Sequence, residues 1–362
     1  MVDFFMVLVH STDFVGHNRD PHENIKMADE EYVSSTAEYD YSGATPVSPC
    51  MKDEVHMFSA SFLPRFYYVI FTLSILGNGL VLFVIIKFER IRTVTNIFLV
   101  NLVGSNLVFT FSLPFWAAYH AGEWNFGTPL CKLVAMATYV GFRSSVLFLT
   151  LLTVDRYLAV VHALAVSQHR KGWYAVVASG LVWLTCGLAG VAPLLRYEVS
   201  IHWKAGWMCK DERDPAWSYF DIYLHFVAFF VLPLVVVVYC YVRIMITVVS
   251  TQISGKHRTL RIVFTILLLF FICWTPQSIM QLVNLHKRLD CNDSVDYANY
   301  ITNNIACLYF CINPVFYTFL GRKFQNYARK LIIGYVPCLK SHLSVAATSR
   351  SLSHRSPPSS EN

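Results

Sequence analysis

Charge is scarce in this chain. Asp, Glu, Lys and Arg make up only 14% of its 362 residues while 55% are hydrophobic, and a soluble domain carries about 25% charged residues. A soluble core cannot absorb that much apolar sequence when it is gathered into long runs. A single basic patch is also missing. Lys and Arg sit in short connectors between the apolar runs, a pattern of membrane orientation that argues against nucleic-acid binding. The start lacks the basic flank and long apolar core of a secretory signal, since Asp3 precedes only Phe4 to Val9. No cleaved signal is expected, and the first membrane helix directs insertion. Met27 opens an acidic, tyrosine-bearing tail, so residues 1–26 read as an alternative extension. No internal repeat is visible, which argues against a secondary transporter. There is no carboxylate pair at membrane depth. The 13 histidines are scattered, and His120, His202 and His286 fall near loops and read as surface residues. No enzymatic activity, resident cofactor or metal centre is expected.

Seven apolar segments are present, roughly 62–87, 96–119, 129–161, 172–194, 218–248, 260–285 and 297–320. Each is long enough to cross a bilayer as a helix, the form that satisfies its own backbone in lipid. Pro114, Pro193, Pro233, Pro276 and Pro314 lie inside them, and packed membrane helices tolerate such prolines. The expected fold is an all-α membrane protein, a seven-transmembrane bundle over 62–320. The connectors after the first, third and fifth segments hold Arg90, Arg92, Arg170, Lys171, Lys256 and Arg258, so those ends are expected to face the cytoplasm. The N-terminus is then extracellular and the C-terminus cytoplasmic, as an odd number of spans requires.

Both flanks are polar. Residues 1–61 form an acidic tail of net charge −8, suited to attracting a basic partner. Residues 321–333 alternate basic and apolar side chains at helical spacing. They are expected to form a short amphipathic eighth helix on the inner leaflet, in contact with membrane lipid. Cys338, just beyond, is a palmitoylation candidate. Residues 334–362 are a Ser/Thr-rich cytoplasmic tail with many phosphate acceptors.

The stretch from Cys131 to His162 organises the rest. As a helix, Cys131 to Arg156 rises roughly 37 Å against a hydrocarbon core of ~30 Å. It places a cysteine outside and the pair Asp155-Arg156 inside. Cys50, Cys131, Cys209 and Cys291 all fall on the outer side. Four cysteines in an oxidising compartment permit three pairings, and sequence alone fixes none. Asn292-Asp293-Ser294 is a glycosylation sequon beside Cys291. Arg143, at membrane depth, marks a paired interior site or a function. An interhelical structural contact is favoured over a ligand-facing role, with the partner unreadable from sequence.

These motifs, one set per span, resemble those of rhodopsin-like G-protein-coupled receptors. They are Gly77-Asn78, Asp155-Arg156-Tyr157, Trp183, Pro233 with Tyr241, Cys273-Trp274-Thr275-Pro276, and Asn313-Pro314-Val315-Phe316-Tyr317. Within that class the chain resembles the chemokine receptors. The phrase Asp155 to Ala163, the Ser112-Leu113-Pro114-Phe115-Trp116 motif and Trp124-Asn125-Phe126-Gly127 before Cys131 carry this likeness. The Cys50 and Cys291 pair and Gly321-Arg322-Lys323-Phe324 add to it.

The resemblance implies two disulfides, Cys131–Cys209 and Cys50–Cys291. It implies a basic chemokine docked on the acidic tail, where Tyr39 and Tyr41 are sulfation candidates, with its flexible end inside the bundle. The implied outer pocket comprises Tyr67, Trp116, Tyr139 and Gln277, with Trp124 at its rim. Inward signalling would turn on Trp274 above Pro276. Arg156, restrained at rest by Asp155, would be freed as Tyr241 and Tyr317 approach, with Tyr157, Asn313 and Pro314 completing the inner machinery. A heterotrimeric G protein of the Gi type, receptor kinases and arrestin are the implied inner partners. Lys256 stands where many relatives carry an acid, so no resting lock from Arg156 to the sixth segment is expected.

Three departures stand out. Asn106 replaces an aspartate that normally holds sodium. Asn303 replaces a glutamate that commonly meets the ligand's positive end. Tyr309-Phe310-Cys311 replaces the usual His-Cys-Cys. Asn106 and Asn303 favour an alternative, a scavenging receptor that couples poorly; the intact Asp155-Arg156-Tyr157 opposes it. Another peptide receptor of the same class is a further alternative, and a transporter a distant one.

Overall fold

The computed structural model describes residues 53–89, 91–162, 172–202, 206–212, 215–251, 257–286 and 293–320, and every structural statement below concerns these. Seven helical rods run in chain order. They are α1 (Asp53–Phe88), α2 (Val94–Ala121), α3 (Gly127–Val161), α4 (Gly172–Arg196), α5, α6 (His257–His286) and α7 (Asp293–Leu320). The rod α5 is built from Pro215–Phe226, a π-helical turn at Val227–Val231, and Leu232–Thr251. Between α4 and α5 lies an antiparallel hairpin of β1 (Tyr197–His202) and β2 (Gly206–Asp211), in register Val199 to Cys209.

The rods exist because lipid offers no hydrogen bonds, so each apolar run must satisfy its backbone internally. Leu181, Leu184, Leu188 and Leu195 on α4, and Val235, Val238, Val242 and Val249 on α5, are all exposed. In water such faces would be interaction or aggregation surfaces; in a bilayer they are the lipid boundary. The polar residues turn inward instead. Gln277, Gln281 and Asn284 on α6, and Asn299, Asn303, Asn304 and Asn313 on α7, are buried.

The helix ends depart modestly from the sequence expectation, with one larger difference. α1 starts at Asp53, within the stretch assigned to the tail. Val55, Ser59 and Leu63 are buried at a spacing of four, so a single helical face continues outward beyond the apolar run.

α3 is the central rod, packing against α2, α4, α5 and β1. Two glycines allow its close approaches. A Cβ on Gly141 would lie 2.5 Å from the backbone N of Phe109 on α2, and one on Gly190 of α4 would lie 2.6 Å from Val140 Cγ2. The first contact is with backbone, which cannot rotate away. Gly141→Ala therefore forces α2 and α3 apart. The expected cost is about 3 kcal/mol, read as a fall of roughly 6–12 °C in the unfolding midpoint of detergent-purified protein. An unchanged midpoint would show that the two helices do not cross this closely.

The hairpin is clamped to the α2–α3 connection. Gly206 has φ +72°, a left-handed conformation that glycine adopts freely. A Cβ there would sit 2.2 Å from Glu123 Oε2, the same oxygen that accepts the Trp207 N–H at 2.8 Å. The Trp124 N–H donates in turn to Trp207 O at 2.7 Å.

Candidate functional site

The Cys131–Cys209 disulfide joins the outer end of α3 to β2, the pairing that the resemblance implied. The expected outer-pocket residues form two contacting pairs, Trp116 with Trp124 and Tyr67 with Asn303. Trp116 Nε1 donates to Thr138 Oγ1 at 3.0 Å, and the Thr138 hydroxyl donates to Val134 O at 2.8 Å. The Trp116 ring lies 5.7 Å from that of Trp124. Trp124 is sealed in this cluster, with Nε1 donating to Gly127 O at 2.9 Å. Across the bundle, Asn303 Nδ2 donates to the Tyr67 hydroxyl at 3.3 Å. The Tyr67 ring lies 5.9 Å from His120, which places His120 against the bundle and not on a free surface. Gln277 Oε1 accepts from Thr302 Oγ1 at 2.7 Å. Tyr139 is buried under the Arg143 guanidinium, 4.8 Å from ring centroid to Cζ.

A polar core lies deeper. Asn106 Nδ2 donates to Asn78 Oδ1 at 3.1 Å, and Ser145 Oγ donates to Asn106 Oδ1 at 2.8 Å. Asn78 Nδ2 reaches Phe310 O at 3.0 Å, tying α1 to α7. Both ends of the Asn106 amide are thus engaged by neutral groups. Beside this core, Trp274 is buried with its ring 4.2 Å from Phe142 and 6.1 Å from Phe310. Pro276 lies inside α6, where its missing N–H weakens the ladder and permits a bend.

At the inner end, Asp155 is buried. Its Oδ2 accepts from Thr95 Oγ1 at 2.9 Å and lies 3.7 Å from Arg156 Nη2. Arg156 Nη2 also donates to Thr95 Oγ1. The three groups form a closed loop between α2 and α3. The Tyr157 hydroxyl pairs with His162 Nε2 at 3.0 Å. Tyr241 is buried with its ring 5.2 Å from Phe264. Asn313 and Pro314 are buried on α7. A Cβ on Gly77 would lie 3.0 Å from Pro314 Cβ, so glycine lets α1 approach α7 there.

Seven helices around a central α3, an outer disulfide to the hairpin and an inner Asp-Arg loop are the architecture of one large receptor family. Residues 77–317 match the 7 transmembrane receptor (rhodopsin family). The chain is a rhodopsin-family G-protein-coupled receptor. It is also 34% identical over 306 residues to C-C chemokine receptor type 3 of Cavia porcellus, covering 82% of this chain and 85% of that relative. The receptor belongs with the chemokine receptors, multi-pass proteins of the plasma membrane without enzymatic activity.

The receptor brings Tyr67 to Asn303 and Trp116 to Trp124, while Gln277 and Tyr139 engage other partners. Sequence reasoning missed Thr95, Thr138, Thr302 and Ser145, each of which holds an expected site residue. A threonine in an apolar run carries no signal of the helix it will face, so nothing local could have found them. Tyr39, Tyr41, Cys50, Lys256, Cys291, Asn292, the 321–333 helix, Cys338 and the 334–362 tail lie outside the described residues, as does the side chain of Tyr317.

The neutral core yields a direct expectation. Because Asn106 brings no charge, the receptor's thermal stability should be the same in sodium and potassium chloride. Asn106→Asp supplies the carboxylate a cation needs. It should raise the unfolding midpoint in sodium over potassium by about 4 °C at saturation. An equal sodium effect in both proteins would show that the amide core does not decide ion binding.

Proposed function

We propose that this receptor binds a basic chemokine at its outer face and activates a heterotrimeric G protein of the Gi type, supporting calcium signalling and chemotaxis. The observation that carries the reading is the pairing of two features on one rod. The outer end of α3 is bonded to the hairpin through Cys131–Cys209, and its inner end holds Arg156 in a loop with Asp155 and Thr95. A rod anchored at both faces suits a protein whose ligand and effector lie on opposite sides of a membrane. The likeness to a C-C chemokine receptor supports the ligand class, and the acidic tail with Tyr39 and Tyr41 supplies charge complementary to a basic ligand. In this reading Tyr67, Trp116, Tyr139, Gln277 and Asn303 receive the chemokine's flexible end, with Trp124 behind them. Tyr157, Tyr241, Trp274, Pro276, Asn313, Pro314 and Tyr317 serve the inward response. Cys50–Cys291 would hold the tail to the last outer loop, and receptor kinases and arrestin would act on the cytoplasmic tail.

A panel of purified chemokines, tested for displacement and calcium release in transfected cells, examines both halves of the reading. Binding with pertussis-toxin-sensitive calcium release is the expected result. Binding and uptake without calcium release would indicate the scavenging alternative, and no binding by any chemokine would reject the ligand class.

A further inference from the structure

The outer half of the bundle contains a chain of alternating charges. Asp211, at the end of β2, lies 4.0 Å from Arg196 Nε at the end of α4. Arg196 Nη2 lies 3.7 Å from Asp221 Oδ2 on α5. Asp221 Oδ1 lies 3.8 Å from Arg143 Nη2 on α3. Four elements are joined by two acids and two bases, so the array is neutral as a whole. Both ends of the array are buried, with side-chain exposures of 0% for Asp211 and 7% for Arg143, while Arg196 and Asp221 between them are 24% and 20% exposed. In a low-dielectric interior such charges are strongly coupled, and removing one partner leaves its neighbour poorly compensated.

Arg143 is the inner terminus, and its position is fixed twice. Its guanidinium lies 4.8 Å from the Tyr139 ring centroid on its own helix and 5.2 Å from that of Phe229. Phe229 belongs to the π-helical turn of α5, a kind of irregularity found often at functional sites. Arg143 therefore touches α5 both above the turn, through Asp221, and within it, through Phe229. The adjacent residue, Phe142, packs on Trp274 at 4.2 Å and on His225 at 5.3 Å. A displacement of the hairpin or of outer α5 thus reaches the Trp274 contact through one side chain and one peptide bond.

We propose that Arg143 is a positioning residue for activation. Through Asp221 and Arg196 it ties the outer hairpin to the Phe142–Trp274 contact and holds the bundle in its resting arrangement. A polypeptide that shifts the hairpin or the outer part of α5 pulls Asp221 from Arg143 and releases that hold. The coupling to G protein rests on the function proposed above; the restraint on the helices does not, and the two are tested separately.

The test uses the full-length receptor in lipid nanodiscs with no ligand added, bearing a fluorine label at the inner end of α6. Wild type, Arg143→Met, Asp221→Asn, the double variant and Arg143→Lys are compared per folded receptor. Basal nucleotide exchange on purified Gi is measured alongside. Arg143→Met and Asp221→Asn should each raise the population of the displaced α6 signal about threefold. The double variant should match the single ones, because both cut the same link, and Arg143→Lys should stay near wild type. If Arg143→Met fails to fold, Asp221→Asn and Arg143→Lys carry the same comparison. An unchanged α6 signal in Asp221→Asn, or full additivity in the double variant, overturns the proposal and leaves Arg143 as packing alone. A shifted α6 signal without increased exchange supports the restraint while counting against Gi coupling.

Discussion

Cys209→Ser should remove most folded receptor from the cell surface, with antibody-detected surface expression falling at least about tenfold and the remainder unfolding early on heating. The bond from Cys131 to Cys209 closes a separation of 78 residues. In the chain-entropy account a loop of that length stabilises by about 4–5 kcal/mol. The local consequences add to this. Both cysteines are fully buried, and Cys209 sits opposite Val199 in the hairpin beside buried Met208. Without the bond, the hairpin is held to the bundle by Glu123 and Trp124 contacts and by the charge chain that begins at Asp211. Those contacts depend on the hairpin already being in place. Cys131→Ser and the double serine variant should give the same loss as Cys209→Ser, since each removes the same bond. Normal surface expression of the double variant would show that hairpin docking is independent of the disulfide.

Arg156→Ala should separate the two faces of the receptor. Chemokine-stimulated nucleotide exchange is expected to fall to under about a tenth of the wild-type rate, about 1.4 kcal/mol or more in activation free energy. Chemokine displacement at the outer face, assayed without G protein, should stay within about threefold, because no G protein is bound to couple Arg156 to the outer site. The reason lies in the inner loop. Asp155 Oδ2 is shared between Thr95 and Arg156, and Arg156 Nη2 reaches both. Arg156 is partly exposed, its side chain at 23% against 4% for Asp155. It is thus the member of the loop that can leave for a partner, while Asp155 stays bonded to Thr95. Equal loss of stimulated exchange and of ligand displacement would point to a general folding defect and contradict this division of labour.

The seven rods were legible because lipid-facing helices need long apolar runs, and their ends fall within a few residues of those runs. The exception, the start of α1, follows a different rule. Asp53 to Ser61 is polar as a whole, yet Val55 and Ser59 line up with Leu63 on one buried face, a periodicity that mean apolarity does not register. The hairpin was missed for the opposite reason. Six-residue strands between two membrane helices are too short to stand out, and the one turn signal is Gly206. The Cys131–Cys209 pairing came from resemblance, since four outer cysteines allow three arrangements. Arg143 was recognisable as a paired charge, but Asp221 lies 78 positions away on another rod. Its approach depends on how α5 is rotated at the π-helical turn, which no local pattern encodes. Thr95 at Asp155 and Ser145 at Asn106 belong to the same class: the residue is visible in sequence, whereas the helix rotation that gives it a partner is not.

Nucleotide exchange on purified Gi, driven by full-length receptor in nanodiscs and titrated with a panel of purified basic chemokines, tests most directly whether outer engagement is relayed inward around α3. The account predicts saturable stimulation at least about tenfold over the ligand-free rate for one or more of them, lost in Arg156→Ala. A chemokine that saturates the outer face while exchange stays at the ligand-free rate would contradict it.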